Sequence, residues 1–374
     1  MVQSGGNAAH ARYNAPYPRA TTAPMPNPTR AYLLGPLLKG VSRSFYLTLR
    51  ILPAGMRDPV GLAYLLARAA DTIADTALIP PAERLDLLLA LRECVNGRGD
   101  PATFSERLSR EVAGHQTESK EKALLESIGP AFDVLAQLDD ADRAAVRGIV
   151  TTLTEGMEFD LRTFPDERSG ELGALPDLSD LDRYTYLVAG CVGEFWTAMT
   201  YAHLPGVLRE EPAIMQRRGI RFGKALQMVN VLRDCGGDLR IGRCYLPKAL
   251  LDRHGYEPHD LLQPANFRRM RPVLFELVRL ALDHFREAMA YTLAIPRTAV
   301  RLRLACLWPI LIGLDTLRLL VENEDWLDPG KVSKTNRKKV YRILGGSTAL
   351  VMSDGLLRRW MEGEIARIEA ALSR

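Results

Sequence analysis

Leucine- and alanine-rich runs separated by short Pro/Gly breaks make up most of this chain. Their apolar positions follow helical spacing, and β-branched alternation is scarce, so the pattern predicts an all-α protein. Breaks fall at Leu52-Pro-Ala-Gly55, Ile79-Pro-Pro81 and Asn96 to Pro101. A helix from Pro59 to Thr76 is apolar almost all round and therefore interior; Pro80 and Pro81 are expected to end it. Phe164 to Asp180, with two prolines, reads as a surface loop. The segment after Arg243-Cys-Tyr-Leu-Pro247 is irregular from Leu250 to Pro264. Helical spacing resumes at Arg271, with breaks around Pro296 and from Asn323 to Asn336.

Two polar stripes interrupt this apolar background. Tyr64, Arg68, Asp71 and Asp75 are spaced four, three and four apart; Gln227, Asn230, Asp234 and Asp238 are spaced three, four and four. Each stripe therefore lies on one helix face, and each carries two carboxylates at i, i+4. Burying such acids demands counter-charge. Carboxylate oxygens on facing helices suit Mg²⁺, and Mg²⁺ in turn takes phosphate oxygens. Two or three such ions between the stripes could bind a diphosphate and promote ionisation of an allylic C–O bond. The plainer alternative for the first stripe is an Arg68–Asp71 ion pair, with Asp75 an ordinary acid at a helix end. Gly236 and Gly237 lie between the second pair and each cost roughly 1 kcal/mol of helix stability relative to Ala. They signal a loosened last turn, a close approach by ligand, or a helix C-terminus.

Basic and aromatic residues extend the chemistry. Arg43, Arg50, Arg68, Arg233 and Arg243 are candidates for contacts to phosphate. Phe45, Tyr64, Phe159, Tyr184, Phe195 and Trp196 could line a hydrocarbon pocket and stabilise a carbocation, although plain core packing is the better reading for Phe195 and Trp196.

The 374 residues, 47% hydrophobic, suffice for one large core or two domains. One all-α domain is expected over 31–374, behind a disordered tail at 1–30 that is rich in Ala, Pro, Asn and Thr. The net charge of +4 is too mild to argue for nucleic acid. Five scattered cysteines without a Cys-x-x-Cys pair support neither a disulfide framework nor zinc, and fit a cytoplasmic setting. No signal peptide is visible in residues 1–30. Leu302 to Val321 is interrupted by Arg303, Pro309, Asp315 and Arg318, and reads as a core helix rather than a transmembrane span. The basic clusters Arg268-Arg269-Met270-Arg271 and Lys334 to Lys339 offer a peripheral contact to anionic lipid, against the alternative of solvated surface charge.

Four separated motifs, in order, resemble the squalene/phytoene synthase family, which joins two prenyl diphosphates head to head. They are Ser42-Arg43-Ser44-Phe45; Tyr64-Leu-Leu-Ala-Arg68-Ala-Ala-Asp71-Thr-Ile-Ala-Asp75; Tyr184-Thr-Tyr-Leu-Val-Ala-Gly190-Cys-Val-Gly193; and Gln227-Met-Val-Asn230-Val-Leu-Arg233-Asp234-Cys-Gly-Gly-Asp238, continuing to Gly242-Arg243-Cys-Tyr-Leu-Pro247. The resemblance implies an isoprenoid-synthase-type helical bundle around a central cavity. It implies that Asp71, Asp75, Asp234 and Asp238 are Mg²⁺–diphosphate ligands and that Arg43, Arg68 and Arg233 bind diphosphate. It places Tyr184 at the tyrosine implicated in proton removal, Gln227 and Asn230 beside the second metal cluster, and Tyr64 and Phe45 at the cavity. Ala74 and Gly237 stand where many members carry a further acid.

The reaction so implied couples two farnesyl diphosphates through a cyclopropylcarbinyl diphosphate, presqualene diphosphate. Hydride from NADPH then gives squalene. Phytoene and dehydrosqualene synthases share these motifs but quench by proton loss, without NADPH. Gly242-Arg-Cys-Tyr-Leu-Pro247 resembles phytoene synthases and bacterial enzymes, whereas Glu322 to Lys334 resembles a late loop of squalene synthases; squalene is the expected product. A non-catalytic assembly factor on the same scaffold would not need the four aspartates. A chain-elongating prenyltransferase or terpene cyclase would show a denser Asp-Asp-x-x-Asp.

Overall fold

The computed structural model describes residues 28–42 and 45–373. The expectation for residues 1–27 and that for Arg43 lie outside the described residues. Pro28 already opens a helix, Pro28–Tyr32, three residues ahead of the expected boundary at Ala31. The helices that frame the core and the site are α1 (Ala54–Asp75), α2 (Pro81–Val95), α3 (Asp140–Thr163), α4 (Leu178–Thr185), α5 (Cys191–His203), α6 (Pro212–Arg240), α7 (Arg271–Ala294), α8 (Val300–Glu322), α9 (Arg337–Leu350) and α10 (Asp354–Leu372). Two two-residue strands, β1 (Gly173–Ala174) and β2 (Arg243–Cys244), pair in parallel, with Gly173 opposite Arg243. The fold is all-α, as the periodicity implies.

The core has two large halves. In one, apolar faces of α1, α2, α3 and α5 pack together; in the other, those of α6, α7, α8 and α10. Helix α8 is the one described helix long and apolar enough to cross a membrane, and 72% of that apolar window is buried inside the protein. Its charged residues find partners there: Arg303, fully buried, donates to Asp354 at 2.6 Å, and buried Asp315 accepts from Arg318 at 3.1 Å.

Three local expectations are corrected. Helix α1 ends at Asp75, because Thr76 turns extended (ψ 128°), and the prolines begin the next helix instead, with Pro80 as N-cap and Pro81 in the first turn of α2. The buried Arg84 guanidinium donates to one carbonyl of the α1 end, Ala74 O, at 3.3 Å and to Ile79 O of the connection at 3.2 Å, and it also binds Glu167 Oε1 at 2.5 Å. Second, α6 runs unbroken through Gly236 and Gly237 to Arg240. The close approach at Gly236 is by protein rather than ligand: a Cβ there would lie 2.5 Å from the Leu327 carbonyl oxygen, whereas one at Gly237 would meet open space. Third, the proline-containing segment from Phe164 is a surface loop as expected, exposed from Arg168 to Glu171, but one that is tied down at its far end. The β1–β2 pairing ties it to the end of α6, and helix resumes at Leu178.

Glycines also set the α5–α6 contact. A Cβ at Gly193 would lie 1.8 Å from Gly219 O, and one at Gly223 would lie 2.0 Å from Ala189 O, so the two backbones touch directly. The turn joining α4 to α5, Tyr186–Gly190, is a π-turn. Arg268 pairs with Glu324, and Lys339 lies 3.7 Å from Asp315, so these two residues of the basic clusters are already matched by acids.

Candidate active site

Helices α1 and α6 present their stripes to one polar chamber of about 580 Å³. Asp71, Asp75, Asp234 and Asp238 all line it, with Arg68, Arg233, Arg243, Gln227, Asn230 and Tyr184. An apolar cavity of about 520 Å³ adjoins it and shares Arg68, Asp71, Gln227 and Asn230 as a rim. Both volumes suit a small-molecule site. Tyr64, Phe195, Trp196 and Phe222 wall the apolar cavity, so Phe195 and Trp196 serve the pocket as well as the core. Pro309 of α8 and the touching glycines Gly193, Gly219 and Gly223 complete its wall. Because those glycines carry no side chain, the two helices cross with their backbones in contact at the wall of the cavity.

The arginines are pre-placed on the acids. Arg68 pairs with Asp71 and donates to Glu121 at 2.9 Å, so the plain ion pair exists, and Asp75 is indeed the last residue of α1. Arg233 grips Asp234 with Nε 2.8 Å from Oδ1. Arg243 Nη1 lies 3.7 Å from Asp75 and 3.9 Å from Asp160, reaching between the two stripes. Asn230 donates to Gln227 Oε1 at 3.2 Å, and Gln227 Nε2 lies 3.5 Å from the Tyr184 hydroxyl. Tyr64 donates to Val41 O at 3.5 Å. Phe45 opens the helix Phe45–Ile51.

Negative charge is nonetheless in excess. Burial, with repulsion from Asp75, pushes Asp71 up to about 6 despite Arg68. Burial, with repulsion from Asp234, pushes Asp238 up to about 7. Burial is the main cause of both shifts, and Asp75 adds a smaller repulsion on Asp238 across the gap. Among the described residues, no three His, Cys, Asp or Glu side chains converge tightly enough to hold a metal by themselves. Open carboxylate pairs of this kind fit Mg²⁺, which is held by one or two carboxylates and completed by water and phosphate, and they do not fit zinc.

Two residues of the chamber escaped the sequence reading. Asp160 of α3 is largely buried, with its side chain 16% exposed, has no i, i+4 acidic partner, and is pushed up to about 7 by burial. Tyr245 follows β2 and donates to Asp160 Oδ2 at 2.6 Å, while its ring stacks on Tyr184 with centroids 4.7 Å apart. Tyr245 was legible only as part of Gly242-Arg-Cys-Tyr-Leu-Pro247; a lone Asp160 gave no signal. Glu322 to Lys334 lines neither cavity. Asn323 Nδ2 binds Lys331 O at 2.9 Å and Lys331 Nζ binds Asp325 at 2.6 Å, while Trp326 Nε1 binds Phe267 O at 3.0 Å, so the segment is docked away from both cavities.

Comparison with known proteins adds a second line. The profile described as squalene/phytoene synthase matches residues 38–338. A bifunctional lycopene cyclase/phytoene synthase of Colletotrichum graminicola is 29% identical over 252 residues, 66% of this chain and 39% of that protein. The squalene synthase of Gibberella zeae is 26% identical over 80% of this chain and 61% of that protein; that of Saccharomyces cerevisiae is 27% identical over 86% and 68%. The chain thus spans less than two thirds of the length of the first two. The fold matches a solved complex of TcSQS with the ligand BPH1237 (TM-score 0.71, 23% identity, 92% of each chain). It also matches a dehydrosqualene synthase complex (TM-score 0.58, 21% identity, 87% of this chain and 97% of that one).

Proposed function

The chain belongs to the squalene/phytoene synthase family, and from that premise we propose that it joins two farnesyl diphosphates head to head and, with NADPH, forms squalene. The observation that carries this reading is the placement of all four aspartates in one chamber that opens onto an apolar cavity.

Arg68, Arg233 and Arg243 would hold phosphate oxygens at the rim through charge-assisted hydrogen bonds. Asp71, Asp75, Asp234 and Asp238 would hold Mg²⁺, which when bound neutralises the diphosphate leaving group and eases C–O ionisation. The apolar cavity takes the prenyl chains and excludes the water that would trap a carbocation. Tyr64 and Trp196 offer aromatic faces to that positive charge. Tyr184, at the inner side of the chamber, would accept the proton released as the cyclopropane closes. NADPH would supply the hydride that ends the second ionisation.

Squalene is favoured because the likeness to squalene synthases runs over a larger share of this chain than the likeness to the phytoene synthase. A second reading, phytoene or dehydrosqualene formation without NADPH, is favoured by the Tyr245-containing motif and by a Glu322 to Lys334 segment that lines neither cavity. Incubation with farnesyl or geranylgeranyl diphosphate and Mg²⁺, with and without NADPH, separates them. Squalene formed only with NADPH supports the first; phytoene, or dehydrosqualene regardless of NADPH, replaces it with the second.

A further inference from the structure

Tyr184 has a difficulty as a proton acceptor. It is buried, and burial together with the Asp160 charge holds its hydroxyl well above the ordinary tyrosine range. A standing tyrosinate is therefore disfavoured, and a neutral phenol can take a proton only if it gives one up at the same moment. The residues that could receive it are in place. Tyr184 and Tyr245 stack with an interplanar angle of 26° and ring centroids 4.7 Å apart. Tyr245 spends its one proton on Asp160 Oδ2, 2.6 Å away, so its lone pairs remain to accept from Tyr184. Gln227 Nε2, 3.5 Å from Tyr184 Oη, faces the hydroxyl as a donor, which leaves the Tyr184 proton free for Tyr245. Gln227 thus donates to Tyr184 and Tyr245 to Asp160, which leaves the Tyr184 proton to pass to Tyr245 across the stacked pair. Asp160 Oδ1 is buried and, among the described residues, has no hydrogen-bond partner. Such a carboxyl oxygen in a core is costly unless it has a use.

We propose that Tyr184, Tyr245 and Asp160 form a directed proton relay that carries the proton lost on cyclopropane closure to the buried Asp160 carboxylate. The inference rests on the head-to-head reading and deepens it. As the ring closes, the C–H bond of the cationic intermediate breaks and its electron pair enters the new C–C bond. The proton goes to Tyr184 Oη; the proton of Tyr184 moves to Tyr245 Oη; that of Tyr245 moves to Asp160 Oδ2. The substrate loses one positive charge and Asp160 becomes a neutral acid, so charge and atoms balance. The carboxyl's position near 7 suits it to accept a proton at neutral pH. Arg243, 3.9 Å away, supports the resting carboxylate without binding the free oxygen. Tyr245 and Asp160 act through Tyr184 and are positioning residues in this scheme.

The test uses the full chain with farnesyl diphosphate and Mg²⁺, NADPH omitted. Inorganic diphosphate release and cyclopropylcarbinyl diphosphate are measured separately after acid quench. Tyr245→Phe keeps the ring stack and Asp160→Asn keeps the shape. In both, diphosphate release should stay within about threefold of wild type while cyclopropyl product falls about 100-fold or more. The double variant should be no worse than either single one, because the relay is one unit. Cyclopropyl product within threefold of wild type in both variants would overturn the relay and point to the departing diphosphate as the base. So would a parallel loss of both products, which marks a structural role. A wild-type chain that releases no diphosphate from prenyl substrates would instead refute the head-to-head reading itself, and the relay with it.

Discussion

Nη1 of Arg243 stands 3.7 Å from Oδ1 of Asp75, a contact between the strand that follows α6 and the last residue of α1. These residues are far apart in sequence, and their meeting closes the chamber. Asp75 belongs to the first acidic pair and Arg243 follows the second, so one guanidinium balances both. The β1–β2 pairing fixes Arg243 opposite Gly173, and the Arg84–Glu167 ion pair anchors the same segment beneath the end of α1.

Replacing Arg243 by Gln should leave Asp75, Asp160 and Asp238 without their shared cation. The expected loss is about 10–100-fold in kcat/KM for a prenyl diphosphate, or about 1.4–2.8 kcal/mol of transition-state binding. Steady-state kinetics on the purified variant check this; an unchanged kcat/KM removes Arg243 from the site.

Asp71→Asn and Asp234→Asn should each abolish turnover while the fold survives. Each removes one of two mutually repelling acids, so the melting temperature without Mg²⁺ should not fall. Full activity in either variant would reject the metal assignment.

Gly236 and Gly237, neighbours in sequence, should respond oppositely to alanine. At Gly236 the new methyl would press on the Leu327 backbone, which cannot rotate away, and a loss of about 1–3 kcal/mol is expected. At Gly237 nothing lies within 4 Å, and a gain of up to about 1 kcal/mol from helix propensity follows. Urea unfolding of the two variants measures both.

The acids also dictate a pH dependence. Asp71, Asp160 and Asp238 are raised to about 6, 7 and 7 from the usual 3.8. Between about pH 4 and pH 7 the unfolded chain has lost protons that the folded chain still holds. Folding is then weakened as pH rises through this window and levels off above it. Without Mg²⁺, these groups should lower the melting temperature between pH 5 and pH 7.5. Added Mg²⁺ with inorganic diphosphate should raise it more at pH 7.5 than at pH 5, because ions bind the carboxylate forms. Equal stabilisation at the two pH values would argue against carboxylate-held metal.

Sequence alone determined the helical class, the breaks near Pro296 and from Asn323 to Asn336, and the two stripes, because all of these are periodic and local. It could also mark Gly236 as unusual, though not say why: the reason is the Leu327 carbonyl on another segment. Asp160 had no local signature, since a single acid on α3 is ordinary until Tyr245 and the chamber surround it. The end of α1 fell within one residue of the expected Thr76, but Pro80 and Pro81 do not cause it: they begin α2, whose Arg84 reaches back to the Ala74 carbonyl. Periodicity decides which face of a helix is polar; only packing decides what that face meets, because ion pairs, glycine crossings and buried acids all depend on neighbours that the chain brings from far away.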